Sequence, residues 1–126
     1  MTNEHLKVAV VDDDPSVRKA LCRLLGLLSV DAVSFASGME FLENLPNHRL
    51  DCLFLDLRMP KMNGFDVLQQ LSHSQWPVKT IVMSAQDEAS SSKACLSAGA
   101  IAYLTKPLDE QTLIAAIHKA TGSMPT

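Results

Sequence analysis

Cys52-Leu53-Phe54-Leu55-Asp56, continued by Leu57-Arg58-Met59-Pro60-Lys61-Met62-Asn63-Gly64, is the stretch on which the fold turns. Four apolar residues without polar alternation read as a strand buried on both faces, and a single carboxylate closes it where a buried strand meets solvent. The loop that follows carries Pro60 and ends at the turn signal Asn63-Gly64. Two other segments end in comparable chemistry: Val8-Ala9-Val10-Val11 runs into Asp12-Asp13, and Tyr103-Leu104-Thr105 runs into Lys106-Pro107. Three acids and one lysine at the ends of three strands form a metal-assisted phosphate site if the strands lie side by side and parallel.

The rest of the chain supplies that condition. Residues 6–11 read as a first strand, and Asp14-Pro15 opens a helix with an acceptor at the N-cap and proline at the first helical position. Val17, Ala20, Leu21, Leu24, Leu25 and Leu28 follow at helical spacing, with Arg18, Lys19 and Arg23 on the other face. Residues 30–36 form a weaker strand. Ser37-Gly38-Met39-Glu40 reads as a capping box for a short helix with Phe41, Leu42 and Leu45 inward, ended at Pro46-Asn47. After the third strand, Phe65, Leu68 and Leu71 mark a helix; residues 78–84 form a fourth strand. Residues 87–97 form a weak helix, because Ser90-Ser91-Ser92 has poor helix propensity and hydroxyls that compete for backbone groups. Residues 100–104 form a fifth strand, and Asp109 caps a last helix with Leu113, Ile114 and Ile117 inward. Five β-α repeats joined by right-handed crossovers predict an α/β fold: a five-stranded, doubly wound parallel sheet, flavodoxin-like in topology. Ligands of such sheets bind beyond the carboxyl ends of the strands, where the strand order reverses. Every acid singled out above falls at such an end.

A chain of 126 residues, 47% apolar and 20% charged, has the size and composition of one domain with its own core. Residues 1–120 are expected to form that domain, and residues 121–126 a polar tail or the start of a linker. The net charge of −3 leaves no basic surplus for gripping nucleic acid, so DNA would be touched only by a separate domain. The apolar stretches are too short to span a bilayer, and Met1-Thr2-Asn3-Glu4-His5 lacks the pattern of a signal peptide. Cys22, Cys52 and Cys95 read as reduced, mostly buried thiols, which suits a cytoplasmic protein. His5, His48, His73 and His118 are scattered and read neither as metal ligands nor as phosphocarriers.

Clustered carboxylates repel unless a cation sits among them, and oxygen-only ligation suits Mg2+, which keeps several waters and accepts phosphate oxygens. A solvated turn plus a helix cap is the bland reading of Asp12-Asp13-Asp14, and it serves for Asp14. It does not account for Asp56 and Lys106 in matching positions.

From about Lys7 to Ala120 the sequence resembles the receiver domain of bacterial two-component response regulators. The resemblance rests on Val11-Asp12-Asp13-Asp14, Asp56-Leu57-Arg58-Met59-Pro60 with Asn63-Gly64, Ser84-Ala85, Ala98-Gly99-Ala100 and Tyr103-Leu104-Thr105-Lys106-Pro107, in order and at the family's spacing. It implies that Asp56 is the nucleophile that takes a phosphoryl group from a sensor histidine kinase. It implies that Asp13 and Asp56 bind Mg2+ directly, Asp12 directly or through water, and the backbone carbonyl of Arg58 as a further ligand. Ser84 and Lys106 would contact phosphoryl oxygens, Ser84 and Tyr103 would form a switch pair, and a cis peptide bond would precede Pro107 and aim Lys106 inward. Arg58 and Gln86 would flank the phosphoryl position and set its lifetime. The output face would comprise residues 87–120, which in relatives makes a phosphorylation-favoured homodimer. The Leu57-Arg58-Met59-Pro60 motif, with Val17-Arg18-Lys19, looks like the branch whose receivers often precede a helix-turn-helix DNA-binding domain and regulate transcription; a stand-alone regulator that acts by protein contact fits the residues equally.

Two other readings fit less well. A Mg2+-dependent phosphatase with an aspartyl-phosphate intermediate usually carries a second acid two residues after the nucleophile, where this chain has Arg58. A flavodoxin-like cofactor binder would want a Gly- or Ser/Thr-rich phosphate loop after the first strand, where Asp12-Asp13-Asp14-Pro15 repels phosphate.

Overall fold

A computed structural model describes residues 6–47 and 49–123. The elements are β1 (Lys7–Val11), α1 (Pro15–Leu27), β2 (Asp31–Phe35), α2 (Gly38–Asn44) with a 3-10 turn at Leu45–Asn47, β3 (Cys52–Asp56), α3 (Gly64–Ser72), β4 (Thr80–Ser84), α4 (Ala89–Ser97), β5 (Ala102–Thr105) and α5 (Glu110–Thr121). The five strands pair in parallel in the order β2-β1-β3-β4-β5. This is the five-stranded, doubly wound α/β sheet that the sequence implies. The order reverses between β1 and β3, which puts the ends of those two strands, and so Asp12 and Asp56, side by side.

The sheet separates two apolar layers. Val8, Val10, Cys52, Phe54, Ile81 and Met83 pack with α1 and α5; Ala9, Val11, Leu53, Leu55 and Val82 pack with α2, α3 and α4. Strands with two buried faces have no polar face to show, which is why β1, β3 and β4 carry the apolar runs Val8–Val11, Cys52–Leu55 and Ile81–Met83 without polar alternation.

The helix starts follow capping chemistry, and the helices depart from the sequence reading at a few named positions. Asp14 caps α1 by accepting from Ser16 N–H, and Asp109 caps α5 by accepting from Thr112 N–H. At α2, Ser37 Oγ accepts from Glu40 N–H, but the Glu40 carboxylate reaches back one residue further, to Ala36 N–H at 2.8 Å, so the expected capping box is only half formed. The complete box is at α3: Asn63 accepts from Asp66 N–H, and Asp66 accepts from Asn63 N–H. Asn63-Gly64, expected as a turn, is therefore the head of a helix. Arg18, assigned by periodicity to the solvent face of α1, is half-buried and donates to the Asp12 carbonyl at 2.8 Å, while Ala20 is exposed. Ile114, expected inward, is half-buried, and Val67, which the sequence reading passes over, is fully buried on α3.

Helix α4 is the least anchored. It begins at Ala89, two residues later than expected, has no side-chain cap, and buries only Cys95. Helix α5 ends at Gly122, whose left-handed conformation (φ 79) lets its N–H donate to His118 carbonyl at 2.8 Å. Gly122 thus closes the domain's last helix. His5, His48 and the end of the tail lie outside the described residues.

Gly64 is present for space. A Cβ there would stand 2.6 Å from the Asp56 carbonyl oxygen and 2.9 Å from Leu57 Cα, both backbone atoms. Gly64→Ala is therefore expected to destabilise the domain by ~1–3 kcal/mol, as overpacking against backbone does, and to displace the end of β3. Thermal melting would register the loss of stability; a wild-type melting temperature would contradict the packing argument.

Candidate functional site

Asp12, Asp13, Asp56, Ser84 and Lys106 meet at the carboxyl edge of the sheet. Asp12 is fully buried, Asp56 is 3% exposed and Ser84 is fully buried, whereas Asp13 is exposed. Their backbones are fixed by the strands that end there: Lys106 N–H donates to Ser84 carbonyl at 2.7 Å, and Leu57 N–H to Met83 carbonyl at 2.8 Å. The Lys106–Pro107 peptide bond is cis.

Lys106 holds the two buried acids. Its Nζ donates to Asp12 Oδ2 at 2.8 Å and lies 3.2 Å from Asp56 Oδ1. Asp12 Oδ1 accepts from Asp14 N–H at 2.9 Å, so both of its oxygens are held. Asp56 Oδ1 also accepts, at 3.4 Å, from Arg58 N–H. Asp56 Oδ2 accepts from no donor among the described residues.

The charges at this site are not balanced. Burial, and then the negative charge of Asp12, push the Asp56 carboxyl up to about 6, although Lys106 pulls it down. Burial pulls the Lys106 ammonium down, but its bond to Asp12 and the charges of Asp56 and Asp12 outweigh that, and its pKa ends raised. One lysine against this acid group leaves negative charge that a cation would satisfy. Asp12, Asp13 and Asp56 each offer one oxygen, and these oxygens lie within 4.8 Å of one another. Such an oxygen-only set fits a hard divalent ion.

These dispositions decide the family. A family model described as the response regulator receiver domain matches residues 8–118. The chain belongs to that family. The receiver is 32% identical over 125 residues to the response regulator protein TmoT of Ectopseudomonas mendocina, covering 99% of this chain and 57% of that protein. It is 34% identical over 113 residues to the DNA-binding transcriptional regulator NtrC of Escherichia coli (strain K12), covering 90% of this chain and 24% of that protein. Among solved structures, a response regulator receiver protein from Burkholderia phymatum superposes with a TM-score of 0.83 at 38% identity, covering 96% of this chain and 99% of that one. The receiver thus spans little more than half the length of TmoT and a quarter of NtrC.

Beside the acid cluster the receiver holds a second group, linked through the backbone of Gln86. Gln86 N–H donates to Ser84 Oγ at 3.2 Å, and the Tyr103 hydroxyl donates to Gln86 carbonyl at 3.0 Å. Ser84 and Tyr103, which the sequence pairs only by resemblance, are therefore joined through the backbone of one residue, Gln86, by its N–H on one side and its carbonyl on the other. Arg58 extends its guanidinium away from the acids, into an ion pair with Glu88 at the head of α4. Neither Glu88 nor the Arg18 contact was legible in the sequence, because each depends on a loop path that no local pattern encodes. The thiols lie apart from the site's chemistry: burial pushes Cys52 up to about 12 and raises Cys22 and Cys95, which suits inert core cysteines. Among the described residues, no helix is long and apolar enough to cross a membrane.

Proposed function

We propose that Asp56 accepts a phosphoryl group from the phosphohistidine of a sensor histidine kinase, and that the receiver is a signalling switch rather than an enzyme acting on a separate substrate. The observation that carries this reading is the disposition of the Asp56 carboxylate. It sits at the end of a buried strand, Oδ1 is held by Lys106 and Arg58 N–H, and Oδ2 has no hydrogen-bond donor among the described residues. An oxygen oriented by its partner atom and left without a donor is suited to attack. Oδ2 bonds to phosphorus, the phosphorus–nitrogen bond of the donor breaks, and the imidazole leaves with that electron pair. Transfer of this kind depends on positioning and on neutralised oxygens more than on covalent help. Lys106, already 3.2 Å from Asp56, supplies one positive charge to the new phosphoryl oxygens. Asp12, Asp13, Asp56 and the backbone carbonyl of Arg58 would hold Mg2+, which when bound neutralises phosphoryl charge.

The switch follows from the Gln86 peptide. A phosphoryl group brings up to about two negative charges and three acceptors. It draws the Ser84 hydroxyl toward itself and away from Gln86 N–H. The loop that carries Gln86 is released, and with it the carbonyl that holds Tyr103, so the balance shifts between two packings. Weakly anchored α4 moves at little cost. The altered face, residues 87–120, serves a homodimer or an output partner. By analogy with the DNA-binding regulator NtrC, the output is transcription control in the cytoplasm, with DNA touched only by a separate domain.

Intact mass after incubation with acetyl phosphate tests the reading. The expected result is a gain of one phosphoryl group that requires Mg2+. A gain indifferent to Mg2+, or placed by peptide mapping on a residue other than Asp56, would overturn it.

A further inference from the structure

Glu88 stands at the N-cap of α4 with extended backbone (φ −115, ψ 117), yet its side chain makes no capping bond. Its carboxylate is engaged elsewhere: Oε1 pairs with the Arg58 guanidinium and accepts from the Ser91 hydroxyl at 3.2 Å. Arg58 itself begins at the acid cluster, with its N–H 3.4 Å from Asp56 Oδ1. A long, flexible stem whose root is at Asp56 and whose charge is at α4 can carry that charge between them by rotamer change alone. The side chains of the pair are 60% and 39% exposed, so solvent screens the attraction and the hold is weak. A phosphoryl group on Asp56 would offer a larger charge and several oxygens to a planar guanidinium, which takes two of them at once.

We propose that Glu88 is a positioning residue that holds Arg58 off Asp56 in the unphosphorylated receiver and yields it to the phosphoryl group. This rests on the reading of Asp56 as the phosphoacceptor. Two effects follow. Glu88 lowers the positive potential that an incoming anionic phosphodonor meets at the mouth of the site. The transfer of Arg58 also frees a carboxylate at the head of α4, so the event at β3 reaches α4 by a route separate from Ser84 and Tyr103.

The test is a double-mutant cycle on the whole chain. Initial rates of phosphorylation by acetyl phosphate in Mg2+ are read by intact mass for wild type, Glu88→Gln, Arg58→Ala and the double variant, with Asp56→Asn as control. Glu88→Gln keeps the size and an acceptor for Ser91 and removes only the charge. It is expected to react about two- to fivefold faster than wild type at low ionic strength, in keeping with an exposed pair. The gain should shrink as added salt shortens the screening length, and should vanish in the Arg58→Ala background. A Glu88→Gln variant at the wild-type rate overturns the proposal, and so does a gain that survives without Arg58, since that would come from α4 or from the carboxylate's own charge and not through the guanidinium. Failure of the underlying reading looks different: wild type takes up no phosphoryl group, or Asp56→Asn labels as well as wild type, and the Glu88 assignment falls with it.

Discussion

Asp56→Asn will take up no phosphoryl group from acetyl phosphate and will melt higher than wild type when Mg2+ is chelated. The first half follows from chemistry: the amide has no nucleophilic carboxylate oxygen, while its carbonyl still accepts from Lys106 and from Arg58 N–H. The second follows from charge. The Asp56 carboxyl is raised from an ordinary 3.8 to about 6, chiefly by burial and then by Asp12. The folded state therefore binds a proton more tightly than the unfolded chain does. Between about pH 4 and 6 the native domain holds a proton that the unfolded chain has released, so metal-free stability falls as pH rises through that window. Above about pH 6 the full penalty is present. The asparagine variant escapes it. Melts in chelator at pH 4.5 and 7.5 would check this: wild type should lose several degrees relative to Asp56→Asn at the higher pH, and added Mg2+ should narrow the difference. Equal stabilities at both pH values would refute the electrostatic account, and labelling of the variant at another residue would refute the assignment.

Lys106→Ala is expected to accept a phosphoryl group in Mg2+ but to switch poorly, and to be severely destabilised without the metal. Lys106 makes the described ion pairs of both Asp12 and Asp56. Removing it leaves two buried carboxylates facing each other, and breaking a buried pair in this way costs about 3–5 kcal/mol. Mg2+ at the same acids should restore much of the loss. On the proposed reading, attack by Asp56 does not require the lysine, whereas the settled position of the product phosphoryl group does. The amide resonance of Gln86, whose N–H donates to Ser84 Oγ, reports the switch directly. It should shift on phosphorylation of wild type and shift far less in the variant. A wild-type shift, or an unchanged melting temperature in chelator, would contradict the role given to Lys106.

Much of this was legible before any coordinates. The third strand is read to the residue, because Cys52–Asp56 is buried on both faces and its composition says so. The fourth and fifth strands are read about two residues early, since Val78 and Ala100 are apolar for packing reasons and lie outside the ladders. The site's acids and lysine are legible as types at strand ends, and the fold brings them together. What the sequence hides is whatever depends on a side chain's second contact. Arg18 looks like a solvent-face cation until the Asp12 carbonyl is seen beneath it. Glu40 leaves its half of the box unmade because its carboxylate accepts from Ala36 N–H instead. Gly64 looks like turn punctuation, and only the packed backbone of Asp56 and Leu57 explains why no side chain fits there.

The placement of Lys106 bears on how the chain is made. Asp12 and Asp56 come from the first and third strands, whereas their counter-charge comes from the end of the fifth. A nascent chain emerging from its N-terminus can pair β1 with β3 long before Lys106 exists outside the ribosome. In that interval the two acids face each other uncompensated, and their repulsion opposes closure of the half-made sheet. Docking of the last strand brings Lys106 to both acids, eases the repulsion and completes the chain's own part of the site in one event. The last strand to be made therefore delivers the charge that completes the acid site, and a domain that lacks it has no finished site with which to take up a phosphoryl group.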